Sequence, residues 1–398
     1  MKSVLILNGY TRNSLAITRC LGKLNFKVDL FSKKEYSSKE DRFNRKFASK
    51  FVNNVFLFAK DEKLETLIDT LQKGNYDYLF AGGTADSLFI SENKELLEKY
   101  VKVVAEDYDK MLRVHDKTIS NSELRSIGIP VPETFEVKSL QSLKTELPPF
   151  NPPYVLKFSD SYASKGLEVF NGHKADLYSH FLNNYQEQNL PIIQQKIEGD
   201  LFDSTCFAVN GDPMGILCQK RILTAWINGG GGIINRTISS PEISRYTEQI
   251  LKHYSWNGHL EIDWIHNKIE NTFYFLEMNP KYWGTTQLTI DAGYNFPFWS
   301  TKLLDGSDIG KCQEYKIGMS YRWVDDELAT LIWNRYGLIK GSKLWTLFFL
   351  RFLNPKIRTN MYLFSDPRPF IGLLIKMALR IFDDKKKKIA LLLKTKNA

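Results

Sequence analysis

Three oxygen-bearing side chains in this sequence have the types and spacing of a site for a hard metal ion. Glu277 and Asn279 are two residues apart in YFLEMNP, so in a β-strand both side chains point to the same face. Asp263 lies fourteen residues before Glu277, and a turn at Asn267–Asn271 brings the two carboxylates nearly opposite each other in a hairpin. Two carboxylates and one amide oxygen suit Mg²⁺ that is also held by phosphate oxygens. Glu261 shares the face and is an alternative to Asp263.

The other interpretation of these residues is a set of solvated acids on an exposed sheet. The residues between them are large and apolar, which predicts a buried strand pair and favours a functional site; they are Ile262, Trp264, Phe275, Leu276 and Met278.

Two lysines farther upstream are positioned to contact phosphate groups. Lys157 lies inside the apolar strand pattern PYVLKF, where a cation is costly unless it has an anionic partner. Lys117 follows Asp116 at the start of a predicted helix, where the helix N-terminus adds positive potential. An exposed helical lysine is the alternative for Lys117. The turn at Ser159–Gly166 is predicted to fold over the phosphates as a lid.

Two arginines are further candidates for neutralising negative charge. Arg221 ends a predicted strand, and Arg236 follows the glycine run Gly229–Gly232, which we predict to be a loop. Either arginine could stabilise an acyl phosphate or a substrate carboxylate. Surface positions without a catalytic role are the alternative for both.

The elements around these residues predict an α/β fold followed by an α+β fold. Residues 1–105 alternate strand and helix patterns, which indicates an open parallel sheet. Residues 106–306 contain strands of an antiparallel sheet, and residues 307–398 are mostly helical. The segment Asn8–Asn13 has one glycine where a dinucleotide-binding loop needs three, so we interpret it as a structural turn or a wall for an acceptor substrate.

Several motifs in order resemble the ATP-grasp superfamily over roughly the first 300 residues. DKTISNSELRSIGIPVPET resembles the entry to its nucleotide domain, and PPYVLKFSDSYASKGLEVF resembles its lysine strand and flexible loop. PIIQQKIEGDLFDSTCFAVNGDP resembles its adenine hinge, and GHLEIDWIHN with YFLEMNPKYWG resembles its metal-binding strands. The first hundred residues are similar to the domain that precedes the grasp in carboxylate–amine ligases and carbamoyl-phosphate synthases.

The resemblance implies ATP and Mg²⁺ as cofactors, with Mn²⁺ as a substitute metal. The resemblance implies phosphate contacts for Lys117 and Lys157, adenine recognition by the backbone around Lys196 and Ile197, and two metal ions on Asp263, Glu277 and Asn279. Gln195, next to Lys196, is a further candidate for the nucleotide contacts. Apart from the resemblance, the candidate catalytic cations are Arg221, Arg236 and Lys281.

Three departures from the family pattern bear on substrate identity. Gln194 and Gln195 stand where the hinge usually has an acid, and the loop keeps only Gly166. Lys281 stands where an arginine usually follows the Asn-Pro pair, and lysine cannot clamp a carboxylate with two parallel hydrogen bonds.

Composition indicates an ordinary globular protein with a basic tail. The net charge is +9, but from Lys340 onward 14 Lys and Arg face 3 Asp, so the preceding residues are close to neutral. An apolar stripe from Phe370 and the cluster Lys385–Lys388 predict either a helix packed on the body or a tail that attracts an anionic membrane. The tail lacks a nucleic-acid-binding module.

The sequence therefore predicts an ATP-dependent ligase that activates a carboxylate for attack by an amine. An ATP-grasp kinase, a thiol ligase and a non-catalytic nucleotide-binding protein at a membrane are the alternatives. Four scattered cysteines, the lack of a signal-peptide pattern and the lack of long apolar runs predict a cytoplasmic protein, with peripheral attachment to the inner membrane face as a further option.

Overall fold

The protein is built on three β-sheets, as seen in a computed structural model. The structure describes residues 1–35, 38–159, 166–226, 229–310, 314–332, 338–354, 356–359 and 364–379. Most of the predicted lid (residues 160–165) and the lysine cluster Lys385–Lys388 lie outside these ranges.

The first sheet is parallel, as the sequence predicts. Its strands are β1 (Ser3–Leu7), β2 (Lys27–Lys33), β3 (Val52–Phe58), β4 (Tyr78–Ala81) and β5 (Lys102–Val103), in the order β3-β2-β1-β4-β5. Its helices are α1 (Arg12–Lys23), α2 (Ser38–Lys46), α3 (Lys63–Gly74), α4 (Thr84–Glu92) and α5 (Lys94–Leu97). The turn after β1 is a helix cap, because the Thr11 side chain accepts a hydrogen bond from the Ser14 N–H.

The second sheet is small and antiparallel. It follows α6 (Tyr108–His115) and α7 (Lys117–Ser126), and Asp116 caps α7 by accepting from the N–H groups of Thr118 and Ile119. Its strands are β6 (Thr134–Phe135), β7 (Tyr154–Lys157), β8 (Glu168–Phe170) and β9 (Ile192–Gln195), in the order β6-β9-β7-β8. Helix α8 (Leu177–Asn184) covers its outer face through Leu177 and Phe181.

The third sheet has seven strands and carries most of the candidate site. The strands are β10 (Asp200–Val209), β11 (Asp212–Trp226), β12 (Gly229–Ile238), β13 (Gly258–Asn267), β14 (Thr272–Asn279), β15 (Ser320–Arg322) and β16 (Ile357–Thr359), in the order β14-β13-β10-β11-β12-β15-β16. The helices in this part of the chain are α9 (Pro241–His253), α10 (Thr286–Ala292), α11 (Phe296–Leu304), α12 (Val324–Ile332) and α13 (Leu338–Leu353).

The glycine run Gly229–Gly232 was predicted to be a loop, and this prediction is wrong. The run is the first part of β12, and it pairs with β11 from Trp226↔Gly229 to Thr224↔Gly232. Backbone hydrogen bonds along a long neighbouring strand hold these residues extended, although glycine has a low intrinsic preference for strands.

The C-terminal segment returns to the first sheet through a buried ion pair. Arg19 of α1 donates from Nε to Asp366 at 2.8 Å, and both side chains are almost fully buried. Asp366 also accepts from the Ser49 hydroxyl at 2.7 Å and the Lys50 N–H at 2.9 Å. A helix over residues 368–379 follows, and an added Cβ at its Gly372 would lie 2.4 Å from the Cβ of Phe47, so the helix packs closely on the chain after α2.

The apolar stripe of this helix is only partly packed. Pro369 and Gly372 are buried and Leu373 is half-buried, whereas Ile371 and Leu374 are exposed. None of the described helices combines the length and apolar character needed to cross a membrane.

Candidate functional site

A cavity of about 580 Å³ separates the small sheet from the large sheet. Residues of β7, β8 and β9 line one side, and residues of β11, β13 and β14 line the other. Helix α13 closes one end with Leu344, Leu347 and Arg351. The cavity is therefore held between two sheets and has both apolar walls and a charged floor.

A row of acidic residues crosses three neighbouring strands at the floor of this cavity. Asp263 on β13 pairs directly with Glu277 on β14, as the hairpin prediction required, and Glu261 pairs with Asn279. On the other side of β13, Asp263 pairs with Asp203 on β10. One carboxylate oxygen from each of Asp203, Glu261 and Asp263 can lie within 4.8 Å of the others, which is close enough to share a metal ion.

Arg221 is the counter-ion of this row. Its Nη2 lies 2.6 Å from an Asp263 carboxylate oxygen, and the same nitrogen contacts Asp203. Its Nη1 donates to the Gly230 carbonyl oxygen at 3.1 Å, so the glycine-rich strand orients the guanidinium. Gln219, which is fully buried, donates from Nε2 to Asp203 at 3.1 Å. Asp263 Oδ1 is buried and has no hydrogen-bond partner in the part of the chain that the structure describes.

The two predicted lysines line the same cavity as Glu277 and Arg221. Lys117 is buried, and its Nζ lies 3.5 Å from Glu277 Oε2. Lys157 is also buried, and no carboxylate lies within ion-pair distance of it among the described residues. Burial, and then the nearby charge of Lys117, lower the pKa of Lys157 to about 8. Lys157 is thus a buried cation with no carboxylate at ion-pair distance among the described residues. An anionic ligand in the cavity would supply the missing negative charge.

The carboxyl groups of the row titrate differently because their neighbours differ. Burial alone would raise the pKa of Glu277, but the cations Lys117 and Lys157 outweigh it and hold that pKa below its ordinary value. Burial raises the pKa of Asp263 well above its ordinary value, and the nearby carboxylates add to this effect while Arg221 opposes it. Burial also raises the pKa of Glu261 to about 7. Among Glu261, Asp263 and Glu277, the carboxyl group with the lowered pKa is therefore that of Glu277, next to the lysines.

Lys281 is beside the acidic row but does not line the cavity. Its Nζ donates to the Asn279 amide oxygen at 2.9 Å and lies 3.7 Å from Glu261. The amide oxygen that we predict to bind metal is therefore occupied by a lysine in this structure.

The predicted adenine hinge lies at the end of β9. Gln195, Lys196 and Ile197 all line the cavity. The Gln195 N–H donates to the Glu133 carbonyl oxygen at 2.8 Å, and the Lys196 N–H donates to the Pro153 carbonyl oxygen at 3.3 Å. The hinge backbone is thus fixed to the rest of the small sheet.

The structure brings most of the predicted site residues together. Eight of them line the one cavity: Lys117, Lys157, Gln195, Lys196, Ile197, Arg221, Asp263 and Glu277. Asn279 and Lys281 are not among the lining residues, but both lie next to Glu261 of the acidic row.

Arg236 is not brought into this group. It pairs with Lys220 on β11, and because side chains alternate along a strand, it faces away from Arg221. Arg236 is exposed, and its Nε donates to the Ser320 hydroxyl at 2.9 Å.

Two charged residues of the site were not predicted from the sequence. Asp203 joins the acidic row only because β10 lies between β11 and β13, which is a property of strand order rather than of local sequence. The signal that could have found it is a carboxylate in the interior of the strand pattern DLFDSTCFAV, where Leu201 and Phe202 precede it and Cys206 to Val209 continue the strand. Arg351 reaches the cavity from α13, more than seventy residues after Glu277, and no local pattern marks it.

The fold is shared with solved structures of known enzymes, although no family model and no curated protein sequence matches the chain. Biotin carboxylase from Campylobacter jejuni, in a complex with β-γ-ATP, has a TM-score of 0.64 at 15% identity over 80% of this chain and 74% of its own. The biotin carboxylase domain of the Hydrogenobacter thermophilus 2-oxoglutarate carboxylase, in complex with MgADP and bicarbonate, has a TM-score of 0.63 at 14% identity over 80% and 73%. An L-amino acid ligase from Bacillus licheniformis has a TM-score of 0.59 at 14% identity over 79% and 78%. These similarities confirm the fold predicted from the sequence.

Proposed function

We propose that this chain, which has the fold of the ATP-grasp superfamily, is an ATP- and Mg²⁺-dependent ligase that forms carbon–nitrogen bonds. The observation that carries the proposal is the acidic row together with two buried lysines, Lys117 and Lys157, that line the same cavity between two sheets. A triphosphate and a divalent metal ion would together provide the missing partners at the cavity floor. The phosphates would pair with Lys157, and the metal ion would bind the Asp263 oxygen that has no hydrogen-bond partner among the described residues. The solved structures with the same fold include complexes with β-γ-ATP and with MgADP.

The nucleotide would lie along the cavity with its phosphates at the acidic floor. Lys117 and Lys157 are the proposed phosphate ligands. Gln195, Lys196 and Ile197 are the proposed adenine contacts, and the apolar side chains Val155 and Val169 on one wall face Ile265 and Leu276 on the other. A flat base fits between two apolar walls of this kind.

The residues of the acidic row fit a divalent metal ion. We propose Asp263, Glu277 and Asn279 as the ligands, with Glu261 and Asp203 close enough to take part. Bound Mg²⁺, or Mn²⁺ in its place, would add positive charge at the phosphoryl group being transferred. Lys281 would have to release the Asn279 oxygen for this to occur.

The reaction needs no nucleophilic side chain from the protein. The substrate carboxylate attacks the γ-phosphorus of ATP, which gives an acyl phosphate and ADP. An amine then attacks the acyl carbon, and phosphate leaves as the amide forms. The protein contributes positioning and charge, with Arg221 and Lys281 as the proposed catalytic cations beside the acidic row, while Arg236 lies on the far face.

The proposal extends to the organisation and location of the protein. Residues 1–105, 106–306 and 307–398 are the proposed domains, with a cytoplasmic location. The basic tail is proposed to attract the protein to an anionic membrane surface, since a lysine cluster next to an apolar stripe favours such a surface.

A substrate screen tests the enzymatic assignment. Purified protein is incubated with Mg·ATP and with pairs of carboxylates and amines, and ADP and phosphate are measured together with the coupled product. We expect ADP release to need both substrates and to stop when EDTA is added. ADP release that is equal with and without an amine would contradict an amine ligase, and phosphorylation of a hydroxyl group would indicate a kinase instead.

A further inference from the structure

One face of α13 is apolar and exposed to solvent. Phe349 is 61% exposed, Leu350 53%, Phe352 57% and Leu353 79%. The helix over residues 368–379 separately exposes Ile371, Leu374, Ile375 and Leu379, which are all at least 39% exposed. Exposed apolar side chains that occur singly are normal, but four of them within five residues at the end of α13 indicate a binding surface.

The other face of α13 is part of the candidate active site. Leu344, Leu347 and Arg351 line the cavity, and their spacing of three and four residues places them on one side of the helix. Phe348 is buried against α12 on this side, and Arg351 pairs with Glu327 of α12. The helix is therefore fixed to the body, and Phe349, Leu350 and Leu353 remain outward.

The charge around this surface decides between possible occupants. Lys343, Lys356 and Arg358 are exposed close to it in sequence, and the region from Lys340 onward carries a net charge of +11. A second copy of the same surface would bring like charges together, which opposes a symmetric dimer. An anionic lipid surface instead offers headgroups to the basic residues and hydrocarbon to the apolar ones.

We propose that the exposed face of α13 seats the protein on an anionic membrane surface. The apolar side chains enter the boundary between headgroups and acyl chains, and the basic residues of the C-terminal region contact the headgroups. Because a helix is roughly 10 Å across, α13 would hold the cavity about that distance from the membrane. This proposal rests on the proposed function only where it treats the cavity as an active site. Lipid binding is measured without measuring turnover, so either proposal can fail while the other holds.

The experiment is sedimentation of the full-length protein with vesicles. One set contains equal parts of phosphatidylglycerol and phosphatidylcholine, and the other contains phosphatidylcholine alone. We expect binding to the anionic set at low salt and much weaker binding to the neutral set or at 0.5 M salt. The double variant Phe349→Ser/Leu353→Ser should lower the partition coefficient by about tenfold or more, because it removes two large inserting side chains.

A matched control separates this surface from general apolar exposure. The double variant Ile269→Ser/Ile317→Ser makes the same kind of change at positions that are 96% and 63% exposed and away from α13, and it should bind vesicles like the wild type. The quadruple Lys385→Gln, Lys386→Gln, Lys387→Gln, Lys388→Gln variant should weaken binding to anionic vesicles without changing the thermal unfolding temperature.

Three results would overturn the proposal. The first is wild-type protein that does not sediment with anionic vesicles at low salt. The second is a Phe349→Ser/Leu353→Ser variant that binds as well as the control. The third is a wild-type dimer in sedimentation velocity that the same variant converts to a monomer, which would assign the surface to a second copy of the chain.

Discussion

The guanidinium of Arg221 lies 2.6 Å from the carboxylate of Asp263 while it also contacts Asp203. All three side chains are about nine-tenths buried or more. Arg221 is therefore a buried cation between two buried carboxylates, and it stabilises the acidic row when no metal ion is bound. The free energy of unfolding of Arg221 variants measures this contribution.

Replacing Arg221 should destabilise the protein strongly. In Arg221→Met, two buried carboxylates lose their counter-ion, and the free energy of unfolding in a urea titration should fall by about 3–5 kcal/mol. Adding Asp203→Asn should recover part of this loss, because one of the uncompensated charges is then absent. The exposed Arg236→Met is the control and should change the free energy by no more than about 0.5 kcal/mol. Equal effects at the two arginines would contradict the assignment of Arg221 as the counter-ion.

Neutralising Glu277 should stop turnover without unfolding the protein. Glu277→Gln keeps the shape of the side chain but removes the charge that faces Lys117 and the proposed metal ion. ADP release should fall at least about a hundredfold, with an unchanged circular dichroism spectrum. Glu270→Gln, in the exposed turn of the same hairpin, should keep wild-type turnover. Near-normal ADP release from Glu277→Gln would rule out its role in metal binding.

Removing the Lys157 charge should weaken ATP binding. Lys157→Met keeps the stem but loses a desolvated contact with phosphate, so affinity measured by calorimetry should fall by about 2 kcal/mol, or roughly 30-fold. Lys138→Met, at an exposed position between β6 and β7, should bind ATP normally. An unchanged ATP affinity in Lys157→Met would indicate that this lysine does not contact the nucleotide.

The same residue should make stability depend on pH in the absence of nucleotide. Burial lowers the pKa of Lys157 from its ordinary 10.5 to about 8. Between these values the unfolded chain binds a proton that the folded protein has released, so stability rises with pH. Relative to Lys157→Met, the wild type should gain up to about 3 kcal/mol as the pH goes from 8 to 10.5. A constant difference between the two proteins across this range would show that the ammonium is well solvated.

Much of the fold was predictable because local pattern and tertiary contact agree. The strands β1 and β4 and the middle of β2 are short, largely apolar runs that become buried, and the hairpin of β13 and β14 has the register that its alternating carboxylates indicated. The edge strand β3 and helix α2 were not predicted, because β3 is half-exposed and α2 is highly polar, so neither has a clear apolar period.

The candidate site was predictable where its residues share one hairpin or one strand. Asp263 and Glu277 follow from spacing alone, and Lys157 follows from a charge within an apolar strand. Three other features of the site depend on strand order and long-range packing, which the spacing of residues within one segment does not encode. They are the pairing of Asp203 with Asp263, the position of Arg351 at the cavity, and the orientation of Arg236 toward the other face of the sheet.

The ion pair between Arg19 and Asp366 joins residues that are 347 positions apart in the chain. During synthesis at roughly 5–20 residues per second, the α1 helix emerges from the ribosome about 20–70 s before the aspartate that neutralises it. For that time the first sheet carries an arginine whose final environment excludes water and whose ion-pair partner Asp366 has not yet been made. The interior around α1 therefore gains this buried ion pair only after Asp366 has been synthesised and its segment has packed against the first sheet.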